Sequence, residues 1–115
     1  GLAFKPNTDD VRESASIEMI KSIKKKGGFV KAFDPVANDS MKMIFPDISY
    51  KNSWEEACEN ADGVIIMTEW NEFRGISLSN LKSLMKKPLI LDTRNILSVK
   101  KLKENGFIFD NVGHN

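Results

Sequence analysis

The sequence is poor in the residues that build metal centres and disulfides. Of its 115 residues, only Cys58 is a cysteine and only His114 is a histidine. A single cysteine excludes an intramolecular disulfide, and a zinc site with four ligands could draw only on these two side chains. We therefore expect no metal centre, and a reducing cytoplasm as the location of the protein.

Charge of one sign and long apolar runs are also scarce. Seventeen lysines and arginines oppose sixteen aspartates and glutamates, which gives a formal charge of +1, whereas proteins that bind nucleic acid usually carry a strongly basic surface. No apolar run reaches the roughly 18 residues that cross a bilayer, and no signal peptide opens the chain. These absences argue against a nucleic-acid partner and against a membrane protein.

What is present suffices for one folded domain. A length of 115 residues corresponds to a single domain, expected over residues 1–115, and 41% hydrophobic residues can fill its core. The apolar start, Gly1-Leu2-Ala3-Phe4, suggests a fragment that begins inside a structural element.

Apolar runs and helix signals alternate along the chain. Six segments have the pattern of strands: 1–4, 29–33, 48–50, 63–68, 89–91 and 107–109. Helices are expected after Ser14 or Ser16, over 37–45, from Ser53 to Glu59, over 78–87 and from Ser98 to Gly106. Because the run 63–68 has no polar alternation, it favours a parallel sheet. We predict an α/β fold: a Rossmann-like open parallel sheet of about six strands, helices on both faces, and a truncated first strand.

The candidate binding residues follow the predicted strands. Residues 1–14 contain no G-x-G-x-x-G motif, so glycines do not cradle a pyrophosphate in the first turn and side chains would have to hold a nucleotide. Lys5 and Arg94 follow two different strands, and the carboxyl ends of parallel strands meet at one crevice. Two cations there would suit an anionic ligand such as a diphosphate. The alternative is that both cations are solvated or paired with neighbouring aspartates.

Several other conspicuous residues have a simpler structural interpretation. Cys58 lies within a capped helix without a neighbouring base, so we expect a buried, unreactive thiol. Trp54, Trp70 and Phe73 have the spacing of core residues on helices, and His114 lies in the terminal tail. Taken alone, Arg12 beside Glu13 indicates a surface ion pair at a helix start.

One long motif resembles a known family. The segment Gly1-Leu2-Ala3-Phe4-Lys5-Pro6-Asn7-Thr8-Asp9-Asp10, continued by Arg12-Glu13-Ser14, resembles the opening of the carboxyl-terminal domain of UDP-glucose 6-dehydrogenases and related nucleotide-sugar dehydrogenases. Later landmarks follow in the family's order: Asp34-Pro35, Thr68-Glu69-Trp70, Glu72-Phe73 and Asp92-Thr93-Arg94-Asn95. The resemblance covers essentially the whole chain.

The resemblance implies a function for the enzyme as a whole. Such enzymes join an amino-terminal NAD-binding domain, a central helical segment with much of the dimer contact, and a carboxyl-terminal domain that closes over the UDP-sugar. They oxidise the C6 alcohol of the sugar to a carboxylate in two NAD-dependent steps, through a thiohemiacetal on a cysteine of an upstream glycine-rich motif. The implied cofactor is thus NAD, held mainly outside this chain, and the implied assembly is a homodimer.

The resemblance also assigns individual residues. It implies that Phe4 and Lys5 contact the UDP-sugar, that Arg94 reaches the same ligand from the far strand, and that Arg12 touches NAD across the domain cleft. It implies no catalytic residue and no metal ligand in this chain. Thr93 departs from the glycine of many UDP-glucose enzymes, and the strand that normally runs into Gly1 is cut, at what we expect to be a sheet edge.

Two alternatives stay open at this point. The domain could belong to a relative that acts on a UDP-linked N-acetylhexosamine or on GDP-mannose. It could also be a free-standing module that binds nucleotide sugars without a dehydrogenase partner. An upstream G-x-G-x-x-G domain fused to Gly1 would separate the second alternative from the first.

Overall fold

The computed structural model describes residues 1–111, in which five strands and six helices follow one another. The strands are β1 (Lys31–Ala32), β2 (Ser49–Tyr50), β3 (Val64–Ile66), β4 (Leu89–Asp92) and β5 (Ile108–Asn111). The helices are α1 (Ala15–Lys25), α2 (Asn38–Lys42), α3 (Trp54–Cys58), α4 (Asn71–Arg74), α5 (Leu78–Leu84) and α6 (Val99–Glu104). Every strand pair is parallel, which confirms the predicted α/β class.

Serine caps begin the helices where the sequence predicts them. Ser14, Ser53 and Ser98 each accept a hydrogen bond from a backbone N–H in the first turn of their helix. At its other end α1 stops before Gly27, whose φ of 82° is a left-handed conformation that glycine adopts without steric cost. These local signals therefore position α1, α3 and α6.

The strands form two sheets, whereas the sequence predicts a single sheet of about six strands. One sheet pairs β1 with β2, and the other has the order β3-β4-β5. Val64 of β3 lies beside Ile90 of β4, which in turn lies beside Phe109 of β5. A cavity of about 880 Å³ lies between the two sheets, lined by β1 on one side and β3 on the other.

Two hydrophobic cores accompany the two sheets. The first lies in residues 2–50 and is built around Ile20, Met41 and Phe45. The second lies in residues 54–109 and is built around Ile66, Leu81 and Leu102. Trp54 packs against the second core and Phe73 is buried, so the expected packing roles of these two aromatic residues are confirmed.

The expectation of an edge strand at the start of the chain is wrong. Residues 1–4 form no strand, and Leu2 and Ala3 donate their N–H groups to the carboxylate of Asp34, at 2.8 and 3.0 Å, instead of joining a ladder. Both residues are buried. The segment therefore lies inside the molecule, between the two sheets, where a single-sequence pattern of four apolar residues could not place it.

Two further observations concern the described part of the chain. Among residues 1–111, no helix has the length and apolar character needed to span a bilayer. In the same range, no group of three or more His, Cys, Asp or Glu side chains could hold a metal ion. His114 lies outside the described residues.

Candidate functional site

The opening segment is held in place by buried side chains from three other parts of the fold. The carbonyl of Leu2 accepts hydrogen bonds from the hydroxyls of Ser14 and Ser16, at 2.7 and 2.9 Å. The carbonyl of Ala3 accepts one from the hydroxyl of Thr68, at 2.7 Å. Since buried backbone polar groups need partners, these contacts fix the path of the chain just before the candidate residues Phe4 and Lys5.

Asp34 is the centre of this arrangement. Its side-chain oxygen Oδ2 accepts from the N–H groups of Leu2 and Ala3 and from the indole of Trp70 at 3.0 Å. Its other oxygen, Oδ1, accepts from the N–H groups of Val36 and Ala37, at 3.0 and 2.9 Å. The residue is only 2% exposed, so a carboxylate almost out of contact with water is stabilised by five N–H donors.

These hydrogen bonds decide the protonation state of Asp34. Burial disfavours the charged form, but the hydrogen bonds from the backbone of Ala3, Leu2 and Val36 and from the indole of Trp70 outweigh it, and the pKa of Asp34 is lowered below its usual value. The carboxylate is therefore ionised at neutral pH. Sequence reasoning assigned Asp34 no contact, because its partners at residues 2, 3 and 70 are distant in sequence.

Phe4 and Lys5 follow the anchored residues directly. Phe4 is half-buried, and its N–H donates to the carbonyl of Asp10 at 3.1 Å, which closes the loop. Lys5 is exposed, and its ammonium lies 5.3 Å from the centre of the Phe4 ring. This is a cation–π distance, so the aromatic ring and the charge form one unit at the surface.

Arg94 reaches the carboxyl end of β3 from the end of β4. Its Nε donates to the carbonyl of Met67 at 2.8 Å, and its backbone N–H donates to Asp92 at 3.1 Å. Asp92 is fully buried and also accepts from the N–H of Leu97 at 2.8 Å. The neighbouring Thr93 donates from its hydroxyl to the carbonyl of Ile66 at 2.5 Å, so the strand end that carries Arg94 is fixed.

Two of the predicted segments therefore meet at one strand end. Ala3 is bound by Thr68, and Arg94 binds the adjacent residue, Met67. Phe4 and Lys5 begin immediately after the first of these anchors. The convergence of the Lys5 and Arg94 charges on one ligand stays a prediction. The segments that carry these two residues are both anchored just past the carboxyl end of β3.

Arg12 lies on the surface and is paired within its own loop. Its side chain is 87% exposed, and Nη2 and Nε donate to the two carboxylate oxygens of Asp10, at 2.8 and 3.1 Å. These hydrogen bonds lower the pKa of the Asp10 carboxyl and raise that of the Arg12 guanidinium. The ion pair agrees with the simpler interpretation of Arg12, and the exposed guanidinium still faces outward.

Cys58 has the environment expected of an unreactive thiol. It is 7% exposed, and burial raises the pKa of its thiol to about 11. A protonated thiol is a poor nucleophile.

The cavities of the molecule differ in chemistry. A small cleft of about 340 Å³ lies at the carboxyl ends of the strands, between Pro6 and Asn7 on one side and Trp70 and Asn71 on the other. The large cavity between the sheets is lined by residues of the strands and of α1 and α3, and neither Lys5, Arg12 nor Arg94 contributes to it. None of these three cations lines the small cleft either.

Comparison with known proteins identifies what the chain is similar to. Residues 1–99 match the model of the UDP-glucose/GDP-mannose dehydrogenase family, UDP binding domain. UDP-glucose 6-dehydrogenase of Rickettsia bellii is 41% identical over 115 residues, covering 98% of this chain and 26% of that protein. UDP-glucose 6-dehydrogenase TuaD of Bacillus subtilis is 36% identical over 114 residues, covering 98% of this chain and 25% of that protein.

Solved structures agree with the sequence relatives. A UDP-glucose dehydrogenase from Pyrobaculum islandicum is 32% identical with a TM-score of 0.77, covering 96% of this chain and 23% of that one. An NDP-N-acetyl-D-galactosaminuronic acid dehydrogenase from Methanosarcina mazei has a TM-score of 0.85 at 24% identity, covering 100% of this chain and 24% of that one. This second likeness supports the fold alone. The chain thus spans about a quarter of the length of the relatives that it matches.

Proposed function

Because the chain belongs to the UDP-glucose/GDP-mannose dehydrogenase family and matches its UDP-binding domain, we propose that it forms one wall of the substrate site of an NAD-dependent UDP-glucose 6-dehydrogenase. The full enzyme would oxidise UDP-glucose to UDP-glucuronate. We place the domain over residues 1–115, in a homodimeric enzyme of the cytoplasm whose amino-terminal and central domains complete the site.

One observation carries this proposal: the anchoring of Ala3 and Arg94 to adjacent residues at the end of β3. Thr68 binds the carbonyl of Ala3, and Arg94 binds the carbonyl of Met67. Rigid anchors reduce the entropy that is lost when a ligand binds. We infer that Lys5 and Arg94 bind the diphosphate of the ligand and that Phe4 packs against it.

We assign the remaining roles by the same reasoning. Arg12 would contact NAD from its exposed position in the loop before α1. NAD would accept the hydride in each oxidation step, but residues 1–14 contain no glycine cradle for a pyrophosphate, so most of its binding site would lie in another domain. We assign no catalytic residue to this chain.

The test is a comparison of the 115-residue chain with the full-length enzyme. We expect that only the full-length enzyme reduces NAD with UDP-glucose. We also expect the isolated chain to bind UDP weakly or not at all, because solvent screens the contacts of an open half-site. Calorimetric titration of UDP and of UDP-glucose into the isolated chain measures this directly.

Other outcomes would favour the alternatives. Low-micromolar binding of UDP by the isolated chain would favour a free-standing nucleotide-sugar-binding module. Turnover of UDP-N-acetylhexosamines or GDP-mannose in preference to UDP-glucose would assign one of these sugar nucleotides as the substrate. The curated relatives named here act, by their names, on UDP-glucose, and for that reason we place it first.

A further inference from the structure

Arg12 is an exposed side chain whose direction is nevertheless fixed. Its Nε and Nη2 donate to the two carboxylate oxygens of Asp10, at 3.1 and 2.8 Å. A contact at two points defines the plane of the guanidinium as well as its position. The single contact between Lys21 and Glu18, at 3.6 Å on the surface of α1, defines neither.

Asp10 is in turn held by its own loop. Its carbonyl accepts from the N–H of Phe4 at 3.1 Å, and its N–H donates to the hydroxyl of Thr8 at 3.2 Å. Its Oδ1 also accepts the backbone N–H of Arg12 at 2.9 Å. The next residue, Val11, is 6% exposed and belongs to the core of residues 2–50. The carboxylate is therefore a fixed acceptor at the surface.

The turn that follows Arg12 is held against its local preference. Glu13 has a φ of 61°, a left-handed conformation that is uncommon for residues other than glycine. Such a conformation persists only where the surrounding structure imposes it. Ser14 supplies the contacts, since its N–H donates to the carbonyl of Val11 at 3.1 Å and its hydroxyl to the carbonyl of Leu2 at 2.7 Å. The backbone on both sides of Arg12 is thus fixed.

The ion pair leaves one edge of the guanidinium available. Asp10 takes two of the five N–H donors of the arginine side chain. Within residues 1–111, no other group accepts the remaining donors of Arg12. An edge of charged N–H donors that points away from Asp10 suits an anionic oxygen of another molecule.

We propose that Asp10 is a positioning residue, which holds Arg12 in the orientation in which its guanidinium contacts NAD. The inference rests on the proposed contact of Arg12 with NAD. A side chain that is ordered before the ligand arrives loses less conformational entropy on binding. By its charge alone, however, a carboxylate beside Arg12 repels an anionic dinucleotide. The positioning and the repulsion therefore have opposite consequences when the carboxylate is removed.

Asp10→Asn distinguishes these two effects. Asparagine keeps an oxygen for the backbone N–H of Arg12, but a neutral amide with a single acceptor oxygen cannot pair with both sides of the guanidinium. In the full-length enzyme, we expect the KM for NAD to rise about twofold to tenfold, the effect of ordering one flexible side chain. The KM for UDP-glucose should not rise, and the Tm should change little because the pair is exposed.

Two controls and one binding measurement complete the test. Asp9→Asn removes an exposed charge from the neighbouring residue and should not raise the KM for NAD. Asp10→Asn combined with Arg12→Ala should match Arg12→Ala alone, since Asp10 acts through Arg12. Titration of NADH into the full-length enzyme, followed by its fluorescence, should show the same rise in Kd without any turnover.

Arg12→Lys tests the same pair from its other side. Lysine keeps the positive charge but cannot form the two-point contact, so this variant should also raise the KM for NAD and the Kd for NADH. Should Asp10→Asn fail to fold, an unchanged KM in Arg12→Lys would overturn the proposal by itself.

The outcomes separate this proposal from the proposed function. A lower KM for NAD in Asp10→Asn would overturn the positioning role, because Asp10 would then act only as a repelling charge. An unchanged KM in Asp10→Asn, with a raised one in Arg12→Ala, would also overturn it but leave the proposed function intact. An unchanged KM for NAD in Arg12→Ala would reject the NAD contact itself, and this inference with it.

Discussion

The indole nitrogen of Trp70 lies 3.0 Å from Oδ2 of Asp34 and donates a hydrogen bond to it, across 36 residues of sequence. The same oxygen accepts from Leu2 and Ala3. One buried carboxylate therefore joins the opening segment, the turn after β1 and the start of α4. The position of Phe4 and Lys5 depends on this junction, although Asp34 is not one of the residues proposed to contact the ligand.

Asp34→Asn should destabilise the chain. The amide group of asparagine retains one acceptor oxygen, so its NH₂ would face at least two of the five N–H donors. Each buried donor left without a partner costs about 1–3 kcal/mol, and we expect a loss of several kcal/mol in the free energy of unfolding. Urea unfolding measures it, with Asp39→Asn, an exposed acid of α2, as the matched control. Equal stability of the two variants would contradict this role.

Asp34 should also contribute to the acid limb of the pH profile, in which the free energy of unfolding falls as the pH is lowered. Its pKa is lowered in the folded state, so its contribution is present above the unfolded pKa of about 3.9 and is lost as the pH falls through the lower folded value. Unfolding free energies measured from pH 6 down to pH 2 should fall less steeply in Asp34→Asn than in the parent chain. Parallel curves would show that other carboxylates account for the acid limb.

Lys5→Ala and Arg94→Ala should weaken substrate binding in the full-length enzyme. Each removes a charge-assisted hydrogen bond of roughly 1.5–3 kcal/mol, which corresponds to a rise of about tenfold to hundredfold in the KM for UDP-glucose. Steady-state kinetics check this, with Lys25→Ala, an exposed lysine at the end of α1, as the control. An unchanged KM and kcat in both variants would reject the diphosphate contacts.

Arg12→Ala should act on the cofactor and not on the sugar nucleotide. The guanidinium is exposed and bound to Asp10, and surface ion pairs contribute little to stability, so the Tm should change little. In the full-length enzyme we expect a higher KM for NAD with an unchanged KM for UDP-glucose. The reverse pattern would place Arg12 in the substrate site.

Cys58→Ala should leave turnover intact. The thiol is buried and its pKa is raised to about 11, so almost no thiolate exists at neutral pH. Dehydrogenase activity of the folded full-length variant is the measurement, and Cys58→Ser serves as a second variant. A loss of turnover with intact substrate binding in both would mean that the nucleophile has been misplaced.

Local signals in the sequence predict the helices and strands well, but they do not predict contacts between residues that are distant in the sequence. The serine caps at Ser14, Ser53 and Ser98 act within three residues of their partners, which is why the helix starts are confirmed. The unbroken apolar run at β3 is likewise a local property. The path of residues 1–4 is different, because it is set by Asp34 and Thr68, which no pattern near Gly1 contains.

In the candidate site, too, positions along the chain could be predicted from the sequence and long-range contacts could not. The placement of Arg94 after a strand follows from the sequence, and so does the surface position of Arg12, although its partner is Asp10 and not the neighbouring Glu13. The hydrogen bond from Arg94 to the carbonyl of Met67 does not follow from the sequence, because it joins the ends of two strands that are separated by two helices. The separation into two sheets could not be predicted either, since an unpaired strand edge has no signature of its own.

The two hydrophobic cores have a consequence for the cooperativity of unfolding. The halves that contain them, residues 2–50 and 54–109, are linked by the Asp34–Trp70 and Ala3–Thr68 hydrogen bonds and by an edge-on contact of Phe33 with Phe73 at 6.1 Å. Separate cores with few links can open as separate units. When the 115-residue chain is heated, the calorimetric enthalpy of unfolding should therefore exceed the van't Hoff enthalpy that a single all-or-none transition would give.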